Sequence, residues 1–298
     1  MHIYNLISSD WHSGHDNGVM APGTVLKYDD PGEPYRELTV SLTGGQDRLW
    51  NVTQNVLCYI GNVVGKEPIV LTQVGDIVNG NSFVETQYTR LSHQISIARA
   101  YLAEFMTRLN VSGFYTVHGT DVHSYGEGSA EELIAEYTRE KYGVESVSAS
   151  HLLLDVGGVR FDIAHDGPSV GEAWLTGNGA RTYLRKRMMA DMDVLQREPA
   201  DVYVRAHVHG YADVQDSIER NGKFYQARLV VCPAMCIPNG YARKASRSIS
   251  YYRLGMLLAD IQDGRLVSIM PLLQSFDTRV LHGGGGRSSV QRRATRAS

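Results

Sequence analysis

Four short apolar runs in this chain stop on the same kind of residue, and that repetition limits the possible folds more than any other feature. Ile3 to Ile7 ends in Ser8-Ser9-Asp10-Trp11-His12, and Pro68 to Val74 ends in Gly75-Asp76. Phe161 to Ala164 ends in His165, and Val202 to Ala206 ends in His207-Val208-His209. Apolar runs this short, bounded by turn residues, read as buried strands. Helix-period stretches separate the early ones. Leu49, Val52, Val56, Ile60 and Val63 mark a helix over residues 46–64, and a second, longer helix is expected over 83–109. A further strand, Gly113 to Val117, stops at His118-Gly119-Thr120-Asp121 and precedes a helix over 130–142. Strand and helix in alternation imply a mostly parallel sheet with crossover helices. Such a sheet gathers whatever follows its strands along one edge.

The second half changes character. Residues 152–156 and 159–164 flank Gly157-Gly158, a hairpin signal, and two more hairpins are expected around Asn221-Gly222 and Asp263-Gly264. With a helix over 180–196 between them, these strands suggest a second, more antiparallel sheet. The Gly/Pro/Asp-rich stretch from His15 to Pro34 reads as a long loop. The expected organisation is a single domain over 1–282, followed by a Gly- and Arg-rich disordered tail over 283–298.

Composition excludes several function classes. With 29 basic and 32 acidic residues the formal charge is −3, so overall charge cannot anchor the chain to nucleic acid or membrane. No run approaches the roughly 18–20 apolar residues of a membrane span, and the first residues lack the cationic start of a signal peptide. Three cysteines are too few for a disulfide framework. Cys232 and Cys236 lack a second pair at zinc-ribbon spacing and read as packing. The expectation is a soluble protein of a reducing cytoplasm.

The polar residues at the strand ends carry the chemistry. Asp10 and His12 are two apart, as are His207 and His209, and in extended backbone such residues point the same way. Carboxylate oxygens mixed with imidazole nitrogens suit divalent transition ions better than calcium. Asp76, with two oxygens, could bridge two ions roughly 3.5–4 Å apart. Each motif alone is common by chance, and their combination at four strand ends is what points to a metal site.

The order Asp10-Trp11-His12, Gly75-Asp76, Gly119-Thr120-Asp121-Val122-His123, His165 and Ala206-His207-Val208-His209 resembles the calcineurin-like metallophosphoesterases over about residues 5–210. The resemblance implies an α/β fold, a four-layer αββα sandwich of two mixed β-sheets flanked by helices. It also implies two divalent ions, manganese being the first expectation and iron, zinc or nickel also fitting the ligands. Asp10, His12 and His209 would hold the first ion, Asp76 would bridge, and His165 and His207 would hold the second. The third motif departs from the family's Gly-Asn-His-Asp/Glu. Its form, the loop after Asp-x-His and Cys232-Pro233-Ala234-Met235 resemble the bacteriophage and prophage branch, whose members would work in the host cytoplasm. His123 is then the candidate general acid. The missing asparagine ligand is replaced by Asp121, by Thr120 or by nothing, with Asn79 and Asn81 as further candidates.

What the resemblance implies chemically is phosphoester hydrolysis in which the ions activate a water as hydroxide, with Asp76 and His123 as the catalytic residues. The expected partner is a phosphodiester in DNA, RNA or a nucleotide. A phosphomonoesterase or protein phosphatase is the alternative, weakened because that group carries an intact third motif. A metal-stabilised binding protein without catalysis is the third reading. Arg243, Lys244 and Arg247 follow Tyr241 in a loop after the His-x-His motif and could contact phosphate, with Tyr241 stacking on a base. Arg181, Arg185, Lys186 and Arg187 read as a solvated helix face. The oligomeric state is not legible.

Overall fold

The computed structural model describes the chain except for residues 30, 83–84, 124–128, 169–176, 239–250, 278 and 280–298. Strand β1 (His2–Ser8) leads through a small hairpin, β2 (Val25–Tyr28) and β3 (Arg36–Thr39), into helix α1 (Gly44–Val64). Then come β4 (Ile69–Val74), α2 (Leu91–Arg108), β5 (Val111–Val117), α3 (Ala130–Tyr142) and β6 (Glu145–Ala149). The second half runs through β7 (Leu152–Val156), β8 (Val159–Ile163), α4 (Asn178–Asp193), β9 (Val202–Arg205), β10 (Ala212–Arg220), β11 (Lys223–Val231), β12 (Tyr251–Gln262) and β13 (Arg265–Asp277).

Both sheets are mixed. The first has the order β13-β12-β1-β4-β5-β6, with β1, β4, β5 and β6 parallel and β12 antiparallel to β1. The second has the order β10-β11-β9-β8-β7, with β11, β9 and β8 parallel and hairpins at either edge. Side-chain alternation along the strands explains the layering. Leu6, Leu71 and Phe114 face α1, α2 and α3, where Leu49, Ile60, Tyr101 and Ile134 meet them. Ile7, Val70, Val74 and Val117 face the other way and pack against Phe161, Ile163, Val204 and Val230 of the second sheet. Leu184 and Met188 of α4 close the far side against Tyr203 and Leu229. The result is an α/β sandwich with the two sheets at its centre. No described helix is long and apolar enough to cross a membrane.

Three expectations are corrected. The β12–β13 hairpin joins the first sheet beside β1, not the second. Its strand β12 is apolar on both faces, with Met256 and Leu258 toward the helices and Leu257 and Ile261 toward the second sheet, so it needs cover from both sides. Helix α2 begins at Leu91, not near residue 83, because the backbone N–H groups of Gln87 and Tyr88 are spent on the Gly14 carbonyl. The stretch expected to be loop contains β2, whose Leu26 is buried with Met20, Val40 and Ile97. Strand β6 was not anticipated, since Glu145-Ser-Val-Ser-Ala shows little apolar alternation and β6 forms one edge of its sheet. The tail over 283–298 lies outside the described residues.

Candidate metal centre

The segments that leave the strands continue to pair beyond them. Asp10 N–H donates to the Gly75 carbonyl (3.1 Å), His12 N–H to that of Asp76 (2.9 Å) and Ser13 N–H to that of Ile77 (2.9 Å). This laces the chain after β1 to the chain after β4 and sets Asp10 and His12 beside Asp76. His165, just past β8, comes from the second sheet and bonds through Nδ1 to the carbonyl of Val74 at 2.7 Å. Ala206 N–H donates to the His165 carbonyl, which ties the His207-Val208-His209 turn to the same place.

Two glycines permit the close approach. A Cβ on Gly75 would lie 2.5 Å from His165 Nδ1, and one on Gly119 would lie 2.0 Å from Asp76 Oδ1. In place of that Cβ, Thr120 grips Asp76, its N–H 2.7 Å from Oδ1 and its hydroxyl 3.0 and 3.1 Å from the two oxygens.

The backbone of the candidate ligands is strained. Asp10 (φ 50°), His12 (42°), Asp76 (54°), His207 (69°) and His209 (48°) are all in the left-handed region, which costs a non-glycine residue about 1–2 kcal/mol. Among the other described non-glycine residues only Gln196, Asn221 and Asp263 share it, the last two in hairpin turns. The extended-strand expectation for Asp-x-His and His-x-His is therefore corrected. The members of each pair converge with both residues in the left-handed region, not in extended strand. Between Asp10 and His12, Trp11 is sent into the core, its indole N–H on Ser8 Oγ at 2.8 Å.

Three groups of potential ligand atoms result, each with its members within 4.8 Å of one another: Asp10, His12 and His209; His12, Asp76 and His123; Asp76, His165 and His207. Asp76 stands between them, its Oδ2 3.0 Å from His165 Nε2, 3.7 Å from His123 Nε2 and 3.9 Å from His12 Nε2. Asp10 Oδ1 lies 3.4 Å from His209 Nε2, and the Nε2 atoms of His12 and His209 face each other at 3.3 Å. Asp10 is wholly buried, yet neither of its oxygens has a hydrogen-bond partner, nor has Nε2 of His165. Buried carboxylates are ordinarily satisfied. Orphaned oxygens and lone pairs turned toward one another are what a divalent cation would complete, and the donor set fits one.

The electrostatics agree with that arrangement. Burial alone would raise the carboxyl of Asp76, but His165, His12 and His123 hold it down at about 2. Burial likewise opposes ionisation of Asp10, and His209 more than compensates, keeping it below the usual carboxylate range. Burial drives His12 well below the usual histidine value, leaving a neutral imidazole with a lone pair to give. His165 is pulled down by burial but pushed up to about 9 by Asp76.

The other candidates separate clearly. His123, in a short 3-10 turn over Asp121–His123, faces Asp76 and His12. Asp121 in the same turn is exposed and joins none of the three groups. Thr120 acts through Asp76. Asn79 is turned away, with its amide on Thr86 Oγ1 at 2.8 Å, and Asn81 is exposed. The Val74 carbonyl, and not the neighbouring Asp166, is the partner of His165 Nδ1, and Nδ1 of His12 is buried without a partner. Cys232 and Cys236 are buried and outside the three groups. Of the four basic residues expected on a solvated helix face, Arg181, Arg185 and Lys186 are exposed, whereas Arg187 is half-buried. Tyr241, Arg243, Lys244 and Arg247 lie outside the described residues.

Sequence reasoning missed the supporting shell. Gln73 braces the turn before Asp76, its amide oxygen accepting from Gly75 N–H (2.9 Å) and Thr116 Oγ1 (2.8 Å). Glu131, buried at the start of α3, accepts from Ile77 N–H at 3.1 Å. The available signal was polar residues interrupting apolar strands, Gln73 and Thr116 in particular. The chain matches no protein-family model and no curated protein.

Proposed function

We propose that this protein is a dinuclear metal-dependent phosphoester hydrolase of the calcineurin-like metallophosphoesterase type, acting on phosphodiesters of nucleic acids or nucleotides. One observation carries the reading. The Asp76 carboxylate is shared by two of three Asp/His groups drawn from the strand ends and the turn that follows β5, and the buried oxygens of Asp10 have no hydrogen-bond partner. Asp10, His12 and His209 would hold one ion, His165 and His207 the other, and Asp76 both. Bound there, two divalent ions supply Lewis acidity, lowering the pKa of water and offsetting charge on the phosphoryl oxygens.

The chain's own residues supply positioning. The Val74 carbonyl accepts from Nδ1–H of His165, so Nε2, toward Asp76, would be the ligand atom once an ion displaced its proton. Thr120 fixes the plane of the Asp76 carboxylate from behind. His207, exposed at the rim, leaves its side of the site open to a phosphate group. Manganese is the first choice of ion for these ligands, and iron, zinc or nickel would also fit.

The test is hydrolysis of bis-p-nitrophenyl phosphate, p-nitrophenyl phosphate, and single-stranded and duplex DNA with Mn²⁺. Diester cleavage is expected. In Asp76→Asn it should fall by more than roughly 10³-fold with the melting temperature within a few degrees of the parent. Full activity in that variant would sink the two-ion reading. Bound metal with no turnover on any substrate would favour a binding protein.

A further inference from the structure

The third motif here lacks the asparagine that the resemblance would put on the second ion. We propose that His123 itself enters the metal shell, and on the His12 side of Asp76, away from His165 and His207. The inference rests on the two-ion reading above. The ligand atoms of His12, Asp76 and His123 lie within 4.8 Å of one another, whereas His123 forms no such group with His165 and His207. Its ring sits edge-on to that of His12 with centroids 4.5 Å apart, and its Nε2 is 3.7 Å from Asp76 Oδ2.

The tautomer follows from the hydrogen bond on the other nitrogen. His123 Nδ1 is 2.7 Å from the backbone carbonyl of Asn79. A carbonyl only accepts, so Nδ1 carries the proton and the neutral ring presents a lone pair at Nε2. His165 is built in the same way, with Nδ1 on the Val74 carbonyl and Nε2 toward Asp76. Carbonyl-anchored Nδ1 with Nε2 aimed inward is the usual arrangement of a metal-binding histidine.

The turn that carries His123 is docked from two sides. Thr120 holds Asp76, and His123 N–H closes the turn on the Thr120 carbonyl at 2.9 Å. Gly80 packs beneath it so closely that a Cβ there would lie 2.6 Å from the Val122 carbonyl oxygen, and Gly80 N–H is fixed by Gln94 Oε1 at 3.0 Å. A ring whose Nε2 coordinates an ion cannot donate a proton from that atom, so this role excludes that of general acid. It also divides the site unequally. The His12 side would draw on Asp10, His12 and His209 and, through the group that His12 and Asp76 share with His123, on a fourth imidazole, while the other side has Asp76, His165 and His207. The first ion is held tightly and the second exchanges and receives substrate.

Titration of the full chain with Mn²⁺ by calorimetry, and with Co²⁺ by visible absorption, tests this in wild type, His123→Ala, His209→Ala and His207→Ala. Two ions should bind to wild type. His123→Ala should weaken the tighter ion by about 100-fold or more, at least the loss typical of outer-shell changes. It should also alter the same cobalt band as His209→Ala, and spare the ion disturbed by His207→Ala. If the metal-free His123→Ala protein melts early, His123→Gln, which retains a donor for the Asn79 carbonyl, replaces it with the same expectation. Unchanged affinities and spectrum, with loss of the basic limb of the rate profile, would overturn the proposal in favour of a proton donor. Weakening of the His207-side ion would overturn it too. Failure of wild type to bind either metal would instead bring down the two-ion reading along with it.

Discussion

Two clusters of buried charge lie near one another in this protein, and they are completed in opposite ways. In the second sheet Arg205 makes four hydrogen bonds, to Asp162 Oδ1, the Asp162 and Val204 carbonyls and the Tyr183 hydroxyl. Asp162 is further bonded to His151 at 2.9 Å, and the Arg205 and Asp162 side chains are both 1% exposed. At the strand ends Asp10 is equally buried and has no hydrogen bond on either oxygen. Arg205 and His207 are two residues apart. The chain satisfies the buried charge of the Arg205 cluster and leaves that of Asp10 without a partner, where a cation could complete it.

The contrast can be broken from either side. The largest effect on stability should come from Arg205→Met, which strands Asp162 without its main counter-charge. A loss of about 3–5 kcal/mol is expected in a denaturant melt, with most of it recovered when Asp162→Leu is added. At the other cluster, Mn²⁺ at a hundredfold excess over its dissociation constant should stabilise the wild type by about 2.7 kcal/mol. Asp10→Asn should lose that increment, its metal-free melt staying close to the parent, while Arg205→Met keeps it.

The smallest effect is one of pH. Burial would raise Asp162, but His151 and Arg205 hold it at about 2, against about 3.9 in an unfolded chain. A depressed carboxyl stabilises the fold above its unfolded value and loses that contribution as pH falls. Of order 2 kcal/mol should therefore disappear between about pH 4 and pH 2. The Arg205→Met/Asp162→Leu variant should lack that share of the acid transition. An identical acid profile in both proteins would show that the Asp162 cluster is not the structural counterpart described here.

Legibility varied by region for physical reasons. Strands such as β4 and β8 and helix α3 could be read closely, because a buried face leaves its period in the sequence. Strand β6 could not, since an edge strand needs little apolar surface. The partner of β12 was misassigned because strand pairing is set by what covers both faces of a strand, and no local pattern records that. At the site, Asp10, His12, Asp76, His165, His207 and His209 were picked out by residue type and position, yet the assumed extended geometry was wrong. Left-handed backbone at Asp and His leaves no mark of its own. Asp121 and His123 differ by two places in a loop, and only the structure shows that His123 is the one grouped with His12 and Asp76.

By itself, then, the sequence determined the strand–helix alternation, the residues that close each strand and their ligand chemistry, since these depend on local periodicity and side-chain type. Tertiary structure alone decided that four strand ends meet, that Asp76 lies between two groups and that Asp10 is left without a partner. Those facts depend on parallel pairing within each sheet, on the packing of one sheet against the other, which brings residues 10 and 209 together, and on backbone in the left-handed region. None of these is encoded in any short stretch of chain.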